Sequence, residues 1–345
     1  MVTIHPQLIE KDERTTNLDL SKYIPNINTY LNPRPTIYWL DFIGSVFATN
    51  LFIYISVKTT SFSPLQLIFI IAAAIFLYRS TGFIHEAVHV GKQISFFPIA
   101  FNILFGFVHK LPLYSYHPHK YHHHTKTYGT RNDPEYELLK GTARYLIFIP
   151  FFSQMAFPLL FLVRFGFFPI LLPFIGKKGR NYVYRFASTA VLNLQFQRPL
   201  PDKKERTEWY QQDAACFFYN CIFFYFMASG YWPWKVLYVW YGITYLASLF
   251  NFYRTLSVHN YYSNFENTNF KQQILDTNTY EGSCVLGWLY PIGTRFHALH
   301  HLFPQIPYHN LAKMHRLVLS NLPDNHPYRE TIVSSFISAT ERLPH

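Results

Sequence analysis

The sequence predicts an all-α integral membrane protein, in which two transmembrane helical hairpins (four spans) and interfacial helices support a cytosolic helical cap. Half of the 345 residues are hydrophobic, 20% are aromatic and only 14% are charged. Several apolar windows approach the roughly 20 residues that a bilayer-spanning helix needs. Most basic residues lie between these windows. This composition is atypical of a soluble globular protein, and it favours a membrane protein.

The four predicted spans form two pairs with short connections. They cover residues 36–57, 63–83, 214–231 and 235–252. Ser63 is placed to cap the second span, and Pro64 then occupies the first helical position. The second pair is joined through "WPW", whose tryptophans favour the membrane interface. Each pair is therefore predicted to be a helical hairpin.

Two further apolar stretches lie between the hairpins, at 94–108 and 145–175. The first is shorter than a bilayer-spanning helix, and the second is interrupted by prolines. Interfacial helices are therefore predicted for both, or a re-entrant hairpin for the longer stretch. The chain is divided into a cytosolic N-terminal lead-in at 1–35, a membrane domain at 36–320 and a C-terminal tail at 321–345.

The distribution of basic residues predicts how the chain is oriented. Of the 30 lysines and arginines, 25 lie in the four long segments 1–35, 84–143, 176–213 and 253–345. The positive-inside rule therefore places these segments and both termini on the cytoplasmic side. The formal net charge of +11 is spread between apolar segments rather than massed in one patch, which argues against binding to nucleic acid.

Histidines recur at helical spacing next to the predicted spans. The three cysteines have no CxxC spacing, so histidine is the expected metal ligand. The groups are "HEAVH" (His85, His89), "HKYHH" (His119, His122, His123), "HALHH" (His297, His300, His301) and the single His259. Residues at i, i+3 and i+4 share one face of an α-helix. A lone HxxHH is as often a solvated polar face, but the set predicts a metal site, and imidazole suits iron, zinc and copper.

These motifs resemble the integral-membrane fatty acid desaturase and hydroxylase superfamily, which carries three histidine boxes. "HHHTKTYGTRNDPEY" resembles the second box with its trailing Asp-Pro-Glu, "RTLSVHN" resembles the segment with an additional histidine, and "GTRFHALHHLFPQIPYHNL" resembles the third box. The resemblance covers residues 36–320. It implies two iron ions (Fe²⁺) held by nine histidines: His85, His89, His119, His122, His123, His259, His297, His300 and His301.

Two carboxylates follow the second box, and they are candidates for orienting the ligands. Asp133 and Glu135 can accept the second N–H of metal-bound imidazoles. An equally plausible interpretation for Asp133 is a turn with Pro134.

The activity that the resemblance implies is an O₂-dependent desaturase that introduces a double bond into a long-chain fatty acyl substrate. The alternative within the superfamily is a lipid or carotenoid hydroxylase or ketolase, because loss of a second hydrogen gives an alkene and hydroxylation at the first carbon gives an alcohol. The sequence holds no flavin, dinucleotide or fused haem signature. An external electron donor of the ferredoxin or cytochrome b5 type is therefore implied, with membrane lipids as surroundings and substrate source.

Two functions outside the superfamily are also compatible with parts of the sequence. "HEAVH" is literally HExxH, the motif in which zinc proteases use the glutamate, here Glu86, as general base. A zinc protease needs three protein ligands and an open site, so the other boxes would have no role in an intramembrane protease. A non-catalytic metal carrier is the third possibility, against which the strict helical register of the boxes argues.

Overall fold

The computed structural model describes most of the chain, and the described part is mostly helical. The described residues are 27–91, 93–124, 127–137, 139, 148–191, 193, 196–262, 270–282 and 284–343. Residues 1–26, which form most of the predicted lead-in, lie outside them, as do parts of 138–147. Two short strands accompany fourteen α-helices in the described residues.

The described residues form the following helices and strands. The α-helices are α1 (Pro35–Lys58), α2 (Pro64–His89), α3 (Phe97–Phe101), α4 (Pro134–Glu137), α5 (Ile149–Ser153), α6 (Phe157–Phe161), α7 (Gly176–Phe186), α8 (Lys203–Ala228), α9 (Lys235–Val258), α10 (Phe270–Leu275), α11 (Cys284–Leu289), α12 (His297–Leu302), α13 (Tyr308–Asn321) and α14 (Phe336–Thr340). The strands are β1 (Thr279–Tyr280) and β2 (Ile332–Val333), which pair in parallel.

Helices α1 and α2 form the first predicted hairpin. Ser63 caps α2 by accepting a hydrogen bond from the Gln66 backbone N–H, as the sequence predicts. Both helices are apolar around most of their circumference, and large side chains such as Phe47 and Ile68 point outwards with 66% and 59% exposure. In a bilayer such side chains contact lipid, so their exposure carries little cost. The described chain continues α2 to His89, six residues past the predicted end.

Helices α8 and α9 are joined by a short turn, as predicted for the second hairpin, but they pack on different neighbours: α8 contacts the segment 162–171, and α9 packs against α1 and α2. Helix α8 begins eleven residues before the predicted span, at a capping box between Asp202 and Glu205. The described residues contain three helical segments that are long and apolar enough to cross a membrane: Ile27–Lys58, Pro64–His89 and Ile149–Leu171. Helices α8 and α9 have the length, but their charged, tyrosine and asparagine residues make them less apolar. The predicted count of four spans therefore stays a prediction.

The stretch predicted as interfacial or re-entrant is a continuous helical run in the structure. It joins α5 and α6 through 3₁₀ and π turns and ends at Leu171. Pro150, Pro158 and Pro169 each occupy the first turn of a short segment, where the missing N–H is least costly. The prolines thus subdivide the helix without reversing the chain. The orientation predicted from basic residues needs an even number of crossings here, so sidedness also stays a prediction.

An ion pair joins this helical run to α8. Arg164 Nη2 lies 3.3 Å from Asp213 Oδ2, and the Tyr114 hydroxyl donates to Asp213 Oδ1 at 2.7 Å. The side chain of Asp213 is 1% exposed. A buried pair of this kind depends on both partners, because either charge alone would be left without compensation.

We expect Arg164→Met to destabilise the protein by about 3–5 kcal/mol, the usual cost of leaving one buried charge unpaired. Thermal unfolding of the purified protein in detergent measures the effect. The double variant Arg164→Met with Asp213→Leu should recover most of the loss, since no lone charge remains. A single variant as stable as the wild-type protein would contradict the structural role of the pair.

The C-terminal third forms a cap over one end of the long helices. Helices α10, α12 and α13 share one hydrophobic core, which includes Ile274, Leu299 and Met314. The segment predicted as a tail takes part in this cap, because β2 pairs with β1 and α14 packs near the end of α9. Backbone bridges join Thr277 to His259 and Thr279 to Phe296. The cap thereby brings the third histidine box next to the end of α9.

Candidate metal centre

Four separate parts of the chain deliver histidines to one buried region. His85 and His89 occupy the last two turns of α2. The second box lies on a π-helical turn, His119–His123, and the third box lies on α12. His259 follows directly after α9, in extended conformation. The packing of α2, α9 and α12 thus brings together histidines that are more than 200 residues apart in the sequence.

The π-helical turn changes which histidines of the second box share a face. A π-helix bonds residue i to i+5, so its turn is wider than that of an α-helix. Positions i+4 and i+5, rather than i+3 and i+4, therefore return to the face of residue i. His123 and His124 accordingly join His119 on the inner side. His122 instead packs its ring against Phe196, with the centroids 5.3 Å apart.

Nine histidines fall into two groups within the described residues. The first group is His85, His89, His119, His124 and His300, and the second is His123, His259, His297 and His301. In each group the candidate ligand atoms all lie within 4.8 Å of one another. Eight of the nine histidines predicted from the sequence are present. His122 is absent from both groups, and His124, which the sequence analysis did not select, stands in its place.

The ring nitrogens converge at distances that suit a shared metal ion. In the first group Nε2 of His300 lies 2.9 Å from Nε2 of His85 and 3.1 Å from that of His124. In the second group Nε2 of His297 lies 2.9 Å from Nε2 of His259 and 3.2 Å from that of His301. Two nitrogens at right angles around a metal, each about 2.1 Å from it, lie about 3 Å apart.

The protonation of the rings also fits metal binding. Burial lowers the pKa of most of these histidines well below the ordinary value, and the neighbouring imidazoles lower it further: His119, His124, His297, His300 and His301. Neutral imidazole keeps a free lone pair, which a metal needs. His89 Nε2 is buried and has no hydrogen-bond partner within the described residues. A buried nitrogen in this state is costly unless something binds it.

Asp133 and Glu135 hold two ligand rings from behind. Glu135 Oε1 lies 2.7 Å from His119 Nδ1, and Asp133 Oδ2 lies 2.9 Å from His123 Nδ1. Burial lowers the pKa of His123, but the carboxylates of Asp133 and Glu135 outweigh this and leave it above the ordinary value. Asp133 Oδ1 also accepts the backbone N–H groups of Glu135 and Tyr136. Both sequence interpretations of Asp133, the turn and the ring partner, therefore describe this structure.

Further ring partners come from residues that the sequence analysis did not select. Tyr128 places its hydroxyl 2.9 Å from His259 Nδ1 and donates to Asp276 Oδ2 at 2.5 Å. The Gln273 amide lies 3.0 Å from His301 Nδ1. Partners of this type fix which nitrogen of a ring faces the metal. Asp276 and Gln273 belong to no sequence motif, and they lie far from every histidine box along the chain.

Glu86 has a role in the structure that differs from that of a protease base. Its Oε1 lies 3.2 Å from His85 Nδ1, and its Oε2 accepts a hydrogen bond from the Tyr38 hydroxyl at 2.5 Å. The carboxylate is buried behind the ligand ring. A general base must instead reach a metal-bound water on the open side of the ion. The arrangement therefore matches an orienting carboxylate.

A cavity of about 570 Å³ lies between the helices, and His85 of the first histidine group lines it. Its walls come from α2, α5, α6 and α9 and from the segment 105–116, and they are mostly apolar. His85, Tyr116 and Glu135 line the part beside the first histidine group. Arg254 and Thr255 line the cavity too, and Arg254 donates to the Asn251 side chain. The size falls in the range of lipid and drug-sized binding sites.

Comparison with known proteins agrees with this geometry. A sequence model of the fatty acid desaturase family matches residues 62–332. A protein of Caulobacter vibrioides (strain NA1000 / CB15N) described as a ceramide hydroxylase is 32% identical over 295 residues, which cover 84% of this chain and 82% of the relative. No solved structure matches the chain. The match extends over all three histidine boxes, and the chain is an oxidoreductase that belongs to the fatty acid desaturase family.

Proposed function

We propose that the protein is an O₂-dependent di-iron hydroxylase that acts on the hydrocarbon chain of a membrane lipid. The observation that carries the proposal is that the mostly apolar cavity is lined by His85, a member of the first of two buried polyhistidine groups. A lipid chain in this cavity would place a methylene group beside the metals. Sequestered, water-poor surroundings of this kind also protect an oxidising centre from side reactions.

The two histidine groups would each hold one iron. Bound iron would supply the ability to reduce dioxygen and remove hydrogen from an unactivated methylene, which acid–base side chains lack. The chain's own residues would then orient the ligand rings and shield the site. Asp133, Glu135 and Tyr128 keep Nδ1 of His123, His119 and His259 occupied, so that Nε2 faces inwards.

Hydroxylation has better support than the desaturation that the sequence analysis preferred. The support is the relative described as a ceramide hydroxylase, at 32% identity over most of both chains. We therefore infer a ceramide-like lipid, with an amide-linked acyl chain, as the substrate class. Carotenoid oxidation remains a less supported variant of the same chemistry.

The reaction needs reducing equivalents from outside the chain. Hydroxylation consumes one C–H bond, one O₂, two electrons and two protons, and it yields one C–OH group and one water. We propose a ferredoxin or a cytochrome of the b5 type as the donor. The histidine boxes and both termini would face the cytoplasm, which the distribution of lysine and arginine supports. A basic face would attract an acidic donor, and electron transfer would weaken as salt rises.

Expression in a ceramide-containing host that lacks the activity tests the proposal. We expect ceramides heavier by one oxygen atom, detected by mass spectrometry of extracted lipids, and labelled by ¹⁸O₂ rather than by H₂¹⁸O. Purified protein should contain about two irons per chain. Lipids with new double bonds and no added oxygen would instead favour a desaturase. Zinc in place of iron, with no change in lipids, would contradict both.

A further inference from the structure

The mostly apolar wall of the cavity also contains several polar side chains, two of which are neighbours in the sequence. His109 and Lys110 both line it, next to Phe105 and Leu111. They lie in the irregular segment between the π turn Asn102–Gly106 and the second histidine box. Neither belongs to the two histidine groups. A cavity that only holds hydrocarbon gives no reason for a histidine and a lysine at this position of its wall.

The two ring nitrogens of His109 are buried. Nδ1 and Nε2 are both shielded from solvent and make no hydrogen bond within the described residues. The ring packs on Phe105, with centroids 4.6 Å apart. Burial lowers the pKa of His109 to about 3, so the ring is neutral. Buried polar groups without partners are rare, because each loses its hydrogen bonds to water.

Lys110 is held in the same wall in an uncommon backbone conformation. Its residue is 5% exposed, and its φ of 59° lies in the left-handed region that side chains other than glycine seldom adopt. Nζ donates to the Val108 carbonyl at 2.9 Å and lies 5.7 Å from the Phe223 ring centroid. Burial lowers the pKa of Lys110 to about 8. Strained residues of this kind concentrate at binding sites.

The hydrogen-bonding capacity of the pair selects the chemistry of its partner. A neutral imidazole offers one donor and one acceptor, and an ammonium group offers donors. A carboxylate or phosphate only accepts, so it would leave the acceptor nitrogen of His109 unsatisfied. Hydroxyl and amide groups both donate and accept. They can therefore satisfy both sides of the site.

We propose that His109 and Lys110 bind a hydroxyl group of the lipid substrate, and that they select lipids carrying this group over lipids that lack it. This inference rests on the proposed function and specifies its substrate. Fixing a polar group at this point of the cavity also fixes which methylene of the chain lies beside the histidine groups. His109 and Lys110 are then positioning residues, which determine substrate choice and the site of oxidation.

Substrate selectivity tests the inference. The iron-loaded enzyme is given a ceramide and the matched 1-deoxyceramide, which lacks one hydroxyl, and kcat/KM is measured for each. We expect the wild-type protein to prefer the ceramide by about tenfold or more, the usual effect of one unmade buried hydrogen bond. His109→Phe and Lys110→Met should each reduce the ratio towards one, whereas His109→Gln, which keeps a donor and an acceptor, should retain part of it.

Two controls separate the possible causes of a change. His117→Phe makes the same replacement at a histidine that does not line the cavity, and it should keep the wild-type ratio. Iron content should be equal in all variants, because neither His109 nor Lys110 belongs to a histidine group. An unchanged ratio in both His109→Phe and Lys110→Met would overturn the inference.

Binding without turnover separates this inference from the proposed function. Fluorescent forms of the two lipids are titrated into the iron-loaded protein without dioxygen. Equal wild-type affinity for both lipids would overturn the role of His109 and Lys110, whatever the reaction product. Preferential binding of the ceramide, lost in His109→Phe but without any hydroxylated product under dioxygen, would support the binding site and contradict the hydroxylase.

Discussion

Replacing His124 by alanine should lower activity at least 100-fold, whereas His122→Ala should stay close to wild type. His124 belongs to the first histidine group, and its Nε2 lies 2.9 Å from His119 Nε2 and 3.1 Å from His300 Nε2. Loss of an outer partner of a ligand typically costs 10- to 100-fold, and loss of a ligand itself should cost at least as much. Product formation by the iron-loaded proteins, together with the rate of iron loss to a chelator, measures the difference.

His122 and His124, two histidines of the same box, form a matched pair for this test. His122 lies two residues before His124 and packs on Phe196. His122→Ala therefore controls for the loss of an imidazole in the same box. We expect faster iron loss in His124→Ala alone. The opposite pattern, an inactive His122→Ala and an active His124→Ala, would mean that the box is α-helical in the loaded enzyme.

Asp133→Asn should weaken metal binding by about 10- to 100-fold, the usual effect of removing a partner that orients a metal-bound histidine. The Asp133 carboxylate lies 2.9 Å from His123 Nδ1, and neither side chain is exposed to solvent. Asparagine keeps the shape and an oxygen for the backbone N–H groups of Glu135 and Tyr136, but it removes the charge that favours Nδ1–H. Iron affinity, measured by competition with a chelator of known strength, reports the effect.

The surface carboxylate Asp324 provides the control for this substitution. It is fully exposed, and Asp324→Asn should leave iron affinity unchanged. Thermal unfolding of the iron-free proteins distinguishes a loss of orientation from a loss of folding: Asp133→Asn should bind iron weakly and still unfold cooperatively. Wild-type iron affinity in Asp133→Asn would show that the ring of His123 is oriented by other contacts.

The sequence predicted much of the helical architecture, because long apolar runs and their caps are local features. The first hairpin is an example: the predicted spans 36–57 and 63–83 match α1 and α2, with Ser63 as cap. The ends of helices were less predictable. Helix α2 runs on through the HExxH motif, and α8 begins in a polar segment, since tertiary packing supports turns that hydropathy alone would not assign to a span.

The path of the stretch between the hairpins was also difficult to predict from the sequence. Prolines such as Pro158 and Pro169 favour a broken or re-entrant path when read from the sequence. In the structure each proline begins a short helical segment, and the run continues to Leu171. A proline lacks the backbone N–H donor, and the cost of this loss depends on where the helical segment begins. A single sequence does not give that position.

By itself the sequence determined the class of the protein, with its apolar helices, and it predicted a metal site from histidines at helical spacing. Seven of the nine histidines that converge in the structure follow from these spacings, because α-helical periodicity is set by the backbone, and His259 follows from the resemblance to the family. Only the tertiary structure decided that His124 rather than His122 faces inwards, since the π turn at His119–His123 alters that periodicity. It also brought Tyr128, Asp276 and Gln273 to the rings, and His109 and Lys110 to the cavity. Contacts across 28 to 148 residues depend on packing, which no local pattern encodes.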